Sequence, residues 1–182
     1  MTTGIADPIR TTLAAAGSRF WRAVASLPDA GGWLFSLGVG GLVLAAMSVV
    51  GFSGGLYRFA PASLAGLPLR LVIVFFVPAL SEEAVFRACL VPDRSETPRP
   101  FAPIAVTTAT FTGWHVVETL FLRRAAPIFL RADFLACAAI LGAGCAVIRW
   151  RTASLWPAVA LHWLVVVVWQ TWLGGPGMEA LK

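Results

Sequence analysis

Charged positions fall in clusters, and the stretches between them are long and apolar. Residues 30–57, 100–117 and 152–178 contain no Asp, Glu, Lys or Arg, and a shorter gap, 134–148, lies between Asp133 and Arg149. A bilayer core about 30 Å thick is crossed by about 20 residues of helix, the form in which a single segment satisfies its own backbone hydrogen bonds. The pattern therefore predicts spans at about Trp33–Val50 or a little beyond, Pro103–Leu122, Phe134–Ile148 and Leu155–Leu173, with a further one at Leu69–Val91. That last span is anomalous, because its apolar first half, Leu71–Leu80, runs directly into Ser81, Glu82, Glu83 and Arg87. Gly/Pro-rich residues 51–68, a polar segment at 92–100, a basic loop with Arg123, Arg124 and Arg131, and a tight turn at Arg149–Ser154 connect the spans. Gly38, Gly40 and Gly41 in the first span are candidates for close helix contact.

Before the first span, Ile9, Leu13, Phe20, Trp21, Val24 and Leu27 fall on one helical face with Arg10, Arg19 and Arg22 beside them. Residues 1–30 thus read as a basic segment able to form an interfacial amphipathic helix, ended by Pro28-Asp29. Residues 31–182 read as a single membrane domain, with no internal repeat. The expected fold is all-α and polytopic, with about five transmembrane helices.

Composition agrees: 182 residues that are 58% hydrophobic and 13% charged, with mean hydropathy +0.80, cannot hide that much apolar surface in a soluble domain of this size. The net charge of +5 comes from thirteen Arg and one Lys, mostly at span ends. That placement suits lipid headgroups, and nothing resembles a nucleic-acid module. Seven basic residues fall on one side of a five-span topology and six on the other, so the positive-inside rule does not fix orientation. The Arg-rich, Lys-poor composition hints at a bacterial inner membrane protein. Trp33, Trp150, Trp156 and Trp172 near span ends fit interfacial anchors. Cys89, Cys137 and Cys145 lie in apolar segments without a C-x-x-C pair and are assigned no chemistry.

A charge at the centre of a spanning helix costs roughly 2.5–3.5 kcal/mol, so Glu82, Glu83 and Arg87 demand partners, water or function. Glu83 and Arg87 have the i,i+4 spacing of a pair, which leaves Glu82 without one on its own helix. The chain's two histidines, His115 and His162, both lie in spans. In an alternating arrangement at about 1.5 Å per residue, Glu82, His115 and His162 reach similar depth. A carboxylate and imidazoles in a low-dielectric pocket are the parts of a general-base site that activates water. Pro78, four residues before Glu82, removes a helix hydrogen bond and is expected to open the backbone beside it.

These residues carry a resemblance. Glu82-Glu83-Ala84-Val85-Phe86-Arg87 reads E-E-x-x-x-R, Phe111 to His115 reads F-x-x-x-H, and His162 begins a third motif. In this order and spacing the chain, over about residues 67–173, resembles the CPBP (Abi, or CAAX-protease-like) family of glutamic intramembrane proteases. The resemblance implies an endopeptidase acting on a membrane-associated protein or peptide, with the prenylated CAAX type as one candidate substrate. Glu82, helped by His115, would activate water, Arg87 would hold the glutamate pair Glu82 and Glu83, and His162 would help stabilise the oxyanion. The family's third motif is commonly H-x-x-x-N, whereas Val166 stands at that place here. Losing one oxyanion donor costs roughly 10²–10³ in rate. Glu118, three residues after His115, either orients that histidine or sits at the interface with Arg123 and Arg124, the latter being preferred.

Other readings stay open. A non-catalytic scaffold or immunity-type protein derived from the family is suggested by Val166 and the short chain. Gly51-Phe52-Ser53-Gly54 matches a serine-protease G-x-S-G but leaves Glu82, Glu83 and Arg87 unexplained. A proton-coupled transporter would use Glu82 and the histidines as a relay, without the inverted repeats such proteins show. No cofactor is expected. Zinc is not excluded, because Glu82, Glu83, His115 and His162 are ligands by type, although no H-E-x-x-H is present.

Overall fold

The structure is a computed structural model that describes residues 6–121 and 127–177. Leu122, Arg123, Arg124 and Lys182 of the sequence reading lie outside the described residues, as do the side chains of Ile9, Arg10 and Leu13.

Helix α1 (Ala6–Ala25) precedes a break at Pro28. Asp29 then caps α2 (Ala30–Gly54) by accepting from the Gly32 N–H at 2.7 Å. The helix ends at Gly55 in the left-handed region (φ 78°), as glycine permits at a helix C-terminus. Helix α3 (Leu64–Cys89) is the longest apolar run and the least regular. A 3₁₀ turn at Leu64–Gly66 leads into regular helix at Leu67–Val74, a π-helical stretch Phe75–Leu80, one α-turn Ser81–Glu83 and a second π stretch Ala84–Cys89. Val77 leaves helical geometry (φ −138°, ψ 111°) just before Pro78, the opening expected from the missing N–H. Helices α4 (Phe101–Phe121), α5 (Ala132–Thr152) and α6 (Trp156–Trp172) complete the bundle. Among the described residues there is no strand, only an isolated bridge between Ala60 and Leu173.

Burial is inverted relative to a soluble protein. Leu34, Leu37, Leu42, Val72, Phe76 and Val106 face outward, whereas Glu83, Arg87, His115, Arg149 and His162 are buried. This is the distribution of an all-α polytopic membrane protein, with lipid outside and polar groups gathered inside. Three helices, α2, α3 and α5, are long and apolar enough to cross a bilayer. The other two expected spans are weaker by composition or length. Helix α4 carries five threonines, His115 and Glu118, and α6 has 17 residues, the short end of the usual range.

The main core joins α2, α4, α5 and α6 through Val43, Met47, Phe111, Leu141, Leu161 and Trp169. Close packing of α2 on α5 rests on Gly144, where an added Cβ would strike Val43. The expectation for Gly38, Gly40 and Gly41 is corrected accordingly. Only Gly40 meets a neighbour, Leu161, because the other two point away from the bundle.

A second core gathers Phe20, Ala23 and Val24 of α1 against Ala79, Ala88, Leu155 and Val159. The Leu155 N–H and the Trp156 Nε1–H each donate at 2.9 Å to α1 carbonyls, those of Ala23 and Val24. At the same end Arg19 and Arg22 pair with Glu96 at 2.6 and 2.7 Å, and Trp150 Nε1–H donates to the Thr97 carbonyl at 3.0 Å. Trp150 and Trp156, expected as lipid anchors, therefore direct their polar edges to protein carbonyls. At the opposite end an extended segment after α2 runs beside the end of α6, with Ala60 and Ala62 N–H groups donating to the Trp172 and Thr171 carbonyls.

Candidate active site

Three helices bring the ionisable groups together. Glu82 and Glu83 sit on the single α-turn of α3 between its two π stretches. His115 comes from the middle of α4, and His162 from the second turn of α6. His162 is the hub: its Nδ1 lies 2.9 Å from Glu83 Oε1, and its Nε2 lies 3.9 Å from Glu82 Oε2.

Glu83 and Arg87 form the i,i+4 pair that their spacing predicts, with Nε 3.3 Å from Oε2 and both side chains fully buried. The alignment is too poor for a hydrogen bond, and no guanidinium nitrogen of Arg87 has a hydrogen-bond partner among the described residues. The cation rests instead on the face of Phe111, with Cζ 4.1 Å from the ring centroid, a contact worth about 2 kcal/mol when desolvated. Phe111 also touches both histidines edge-on, at centroid distances of 4.9 Å to His115 and 5.9 Å to His162. Phe111, the first place of the F-x-x-x-H motif, thus organises the cluster. Gly142 of α5 leaves the space for this stack, since an added Cβ would lie 3.0 Å from Phe111 and 3.1 Å from Arg87 Nη2.

A cavity of about 470 Å³ opens in front of the cluster. Glu82, His115, Glu118, His162, Val166 and Gln170 line it among mostly apolar neighbours, whereas Glu83 and Arg87 lie behind its wall. Glu82 Oε2 is buried without a hydrogen-bond partner among the described residues. His115 Nδ1 lies 3.0 Å from the Phe111 carbonyl oxygen. A carbonyl only accepts, so Nδ1 carries the proton, and in the neutral ring Nε2 is an unprotonated acceptor.

Glu118 lines the cavity with His115, as the i,i+3 spacing on α4 allows, rather than only meeting the interface. No hydrogen bond joins it to His115 among the described residues, and its expected partners Arg123 and Arg124 lie outside them. Val166 occupies the cavity wall where the resemblance implies an amide. One turn further on the same face, Gln170 supplies a buried carboxamide that the sequence reading missed, although its spacing of eight from His162 carried the signal. Ser53 lies exposed near the end of α2 with its hydroxyl on the Val50 carbonyl, and Asp133 pairs with Arg131 at 2.6 Å. Neither lines the cavity. Cys137 does, next to Met47 and Tyr57. Among the described residues no group of three or more His, Cys, Asp or Glu side chains is placed to hold a metal ion.

Inward-facing carboxylates and imidazoles in a helical membrane bundle, open to an apolar cavity, define the class: an intramembrane protein with polar chemistry at bilayer depth. The sequence matches the family model of Type II CAAX prenyl endopeptidase Rce1-like proteins over residues 61–168, and the chain belongs to that family. The match spans α3 through most of α6, so every residue of the cluster falls within it. No curated protein and no solved structure matches the chain. Membership makes it a CAAX-type membrane protease at the level of the family.

Proposed function

We propose that the protein is a glutamate-dependent intramembrane endopeptidase that cleaves a peptide bond of a membrane-associated protein, with Glu82 as general base. The observation that carries this is the Glu82 carboxylate, buried and unpartnered at Oε2, facing the cavity that His115 and His162 share. Glu82 takes a proton from water, whose oxygen bonds to the substrate carbonyl carbon. The same proton passes to the leaving nitrogen as the C–N bond breaks. His115, with Nδ1–H given to Phe111, presents Nε2 as the acceptor that orients the water. His162 donates Nδ1–H to Glu83 and, with Nε2 protonated as well, donates from that nitrogen to the developing oxyanion beside Glu82. Arg87 and Glu83 act through position, fixing His162 from behind the cavity wall. No metal takes part in this scheme. The site is apolar enough to accept a prenylated CAAX-type substrate, and the Arg-rich composition suits a bacterial inner membrane.

The test is mass-spectrometric mapping of new termini after incubating a mixture of membrane-segment and farnesylated CAAX peptides with wild type and with Glu82→Gln. Termini made only by the wild type, and persisting with EDTA and 1,10-phenanthroline, support the reading. Activity lost together with stoichiometric zinc would replace it with metal catalysis. The second reading, a non-catalytic scaffold, is favoured by Val166, which puts an isopropyl group where an amide would serve the oxyanion. It expects no difference between the two folded proteins.

A further inference from the structure

Gln170 is the one neutral amide side chain among the residues that line the cavity. It is only 6% exposed, and its side-chain oxygen has no hydrogen-bond partner among the described residues. An unpaired amide oxygen in an apolar wall is costly, so its presence there calls for a donor that arrives with the ligand. A substrate peptide brings the matching need, because each of its N–H and C=O groups loses water on entering the cavity. A carboxamide, donor and acceptor side by side, is the side chain that satisfies both.

Distance decides which peptide group it meets. Gln170 lies eight residues beyond His162 on α6, two turns and about 12 Å along the helix axis. An extended peptide advances about 3.3 Å per residue, so 12 Å corresponds to about three to four residues. That separation is too long for Gln170 to serve the oxyanion beside Glu82 and His162. We propose that Gln170 holds the substrate main chain in register, by pairing its carboxamide with a peptide group about three to four residues from the scissile bond. The inference rests on the endopeptidase reading and makes Gln170 a positioning residue.

The experiment uses the full-length protein and the peptide whose cleavage depends on Glu82. That peptide is resynthesised as a set in which one peptide N–H at a time, from four residues before to four after the scissile bond, is N-methylated. For the wild type, methylation at one position about three to four residues from the bond should lower kcat/KM about tenfold. In Gln170→Leu the unmodified peptide is already slowed about tenfold, through KM, and methylation at that position costs nothing more. Gln170→Glu keeps an acceptor oxygen and should keep the sensitivity. Removing an unpaired buried amide does not unfold the protein, so the melting point of Gln170→Leu should not fall. A wild-type methylation profile retained by Gln170→Leu overturns this inference alone. Absence of any Glu82-dependent cleavage removes the catalytic reading and this one with it.

Discussion

At the scale of single residues, the cluster turns on a buried cation that has almost no hydrogen bonds. Arg87 is held by the Glu83 charge at 3.3 Å and the Phe111 ring at 4.1 Å. Replacing it with Leu leaves Glu83 buried beside His162 alone, and breaking a buried pair from one side costs about 3–5 kcal/mol. Thermal unfolding in detergent should show that loss, and the double change Glu83→Gln with Arg87→Leu should recover much of it by removing the orphaned charge. Activity should stay low in both, because the first leaves Glu83 without the cation that fixes it and the second removes the carboxylate that His162 pairs with. Equal stability of the Arg87 variant and the wild type would mean the pair contributes nothing to the fold. Gly142→Ala tests the stack from the other side. Its Cβ, 3.0 Å from Phe111 and 3.1 Å from Arg87, requires both to shift, which costs about 1–3 kcal/mol by overpacking. Peptide cleavage should fall with stability, whereas the same change at Gly38, which meets nothing within 4 Å, should be neutral.

The elements show what was legible before any coordinates and what was not. Helix positions followed from the charge gaps, because lipid admits little else. Pro78 announced the opening at Val77. The second π stretch, Ala84–Cys89, has no proline or glycine to signal it and carries the buried side chains of Phe86 and Arg87. Glu82, Glu83, Arg87, His115 and His162 stood out as charges or histidines in apolar spans and Phe111 as the first place of F-x-x-x-H, whereas the stacking of Phe111 under Arg87 and the space left by Gly142 are set by tertiary contacts. Docking of α1 was equally hidden, since it draws on Glu96, 77 residues beyond Arg19 and 74 beyond Arg22. Burial would raise the Asp93 carboxyl, but hydrogen bonds from the Ser95 hydroxyl and N–H, with the Glu96 N–H and Arg149, carry it below the ordinary range. Glu96 is likewise held down, against burial, by Arg19 and Arg22. Both groups are depressed in the folded state, so their contribution is complete above about pH 4 and is lost as pH falls through the folded values. Hydrogen exchange of α1 should therefore be steady from pH 7 to 5, once corrected for intrinsic rates, and accelerate below about pH 4. Glu96→Gln should loosen α1 at neutral pH by about 1 kcal/mol or less, because its arginine partners are partly solvated. Unchanged exchange in that variant would show that the apolar face of Phe20, Ala23 and Val24 alone holds the helix.

For the whole molecule the decisive question is how α4 and α6 meet the bilayer, because each supplies a histidine and neither is as long and apolar as α2, α3 and α5. The two ends of the bundle are well separated in composition. One gathers α1, residues 92–100 and the α5–α6 turn through Arg19, Arg22, Asp93, Glu96 and Trp150, and the other gathers residues 55–66 with the end of α6. On a five-span topology that division has α4 and α6 run the full depth alongside the three more apolar helices. His115, Glu118, His162 and Gln170 are tolerated because they face the cavity rather than lipid. With five crossings, Ala65→Cys and Pro127→Cys should react with a membrane-impermeant maleimide from one face and Pro98→Cys from the other, in a background lacking Cys89, Cys137 and Cys145. If α4 instead lies along the surface, Pro127→Cys reacts from the same face as Pro98→Cys. His115 would then sit near the headgroups, away from Glu82, and the shared cavity could not form at bilayer depth. Labelling thus bears on the proposed mechanism as directly as on topology, since a water-activating site built on three helices would need all three to cross.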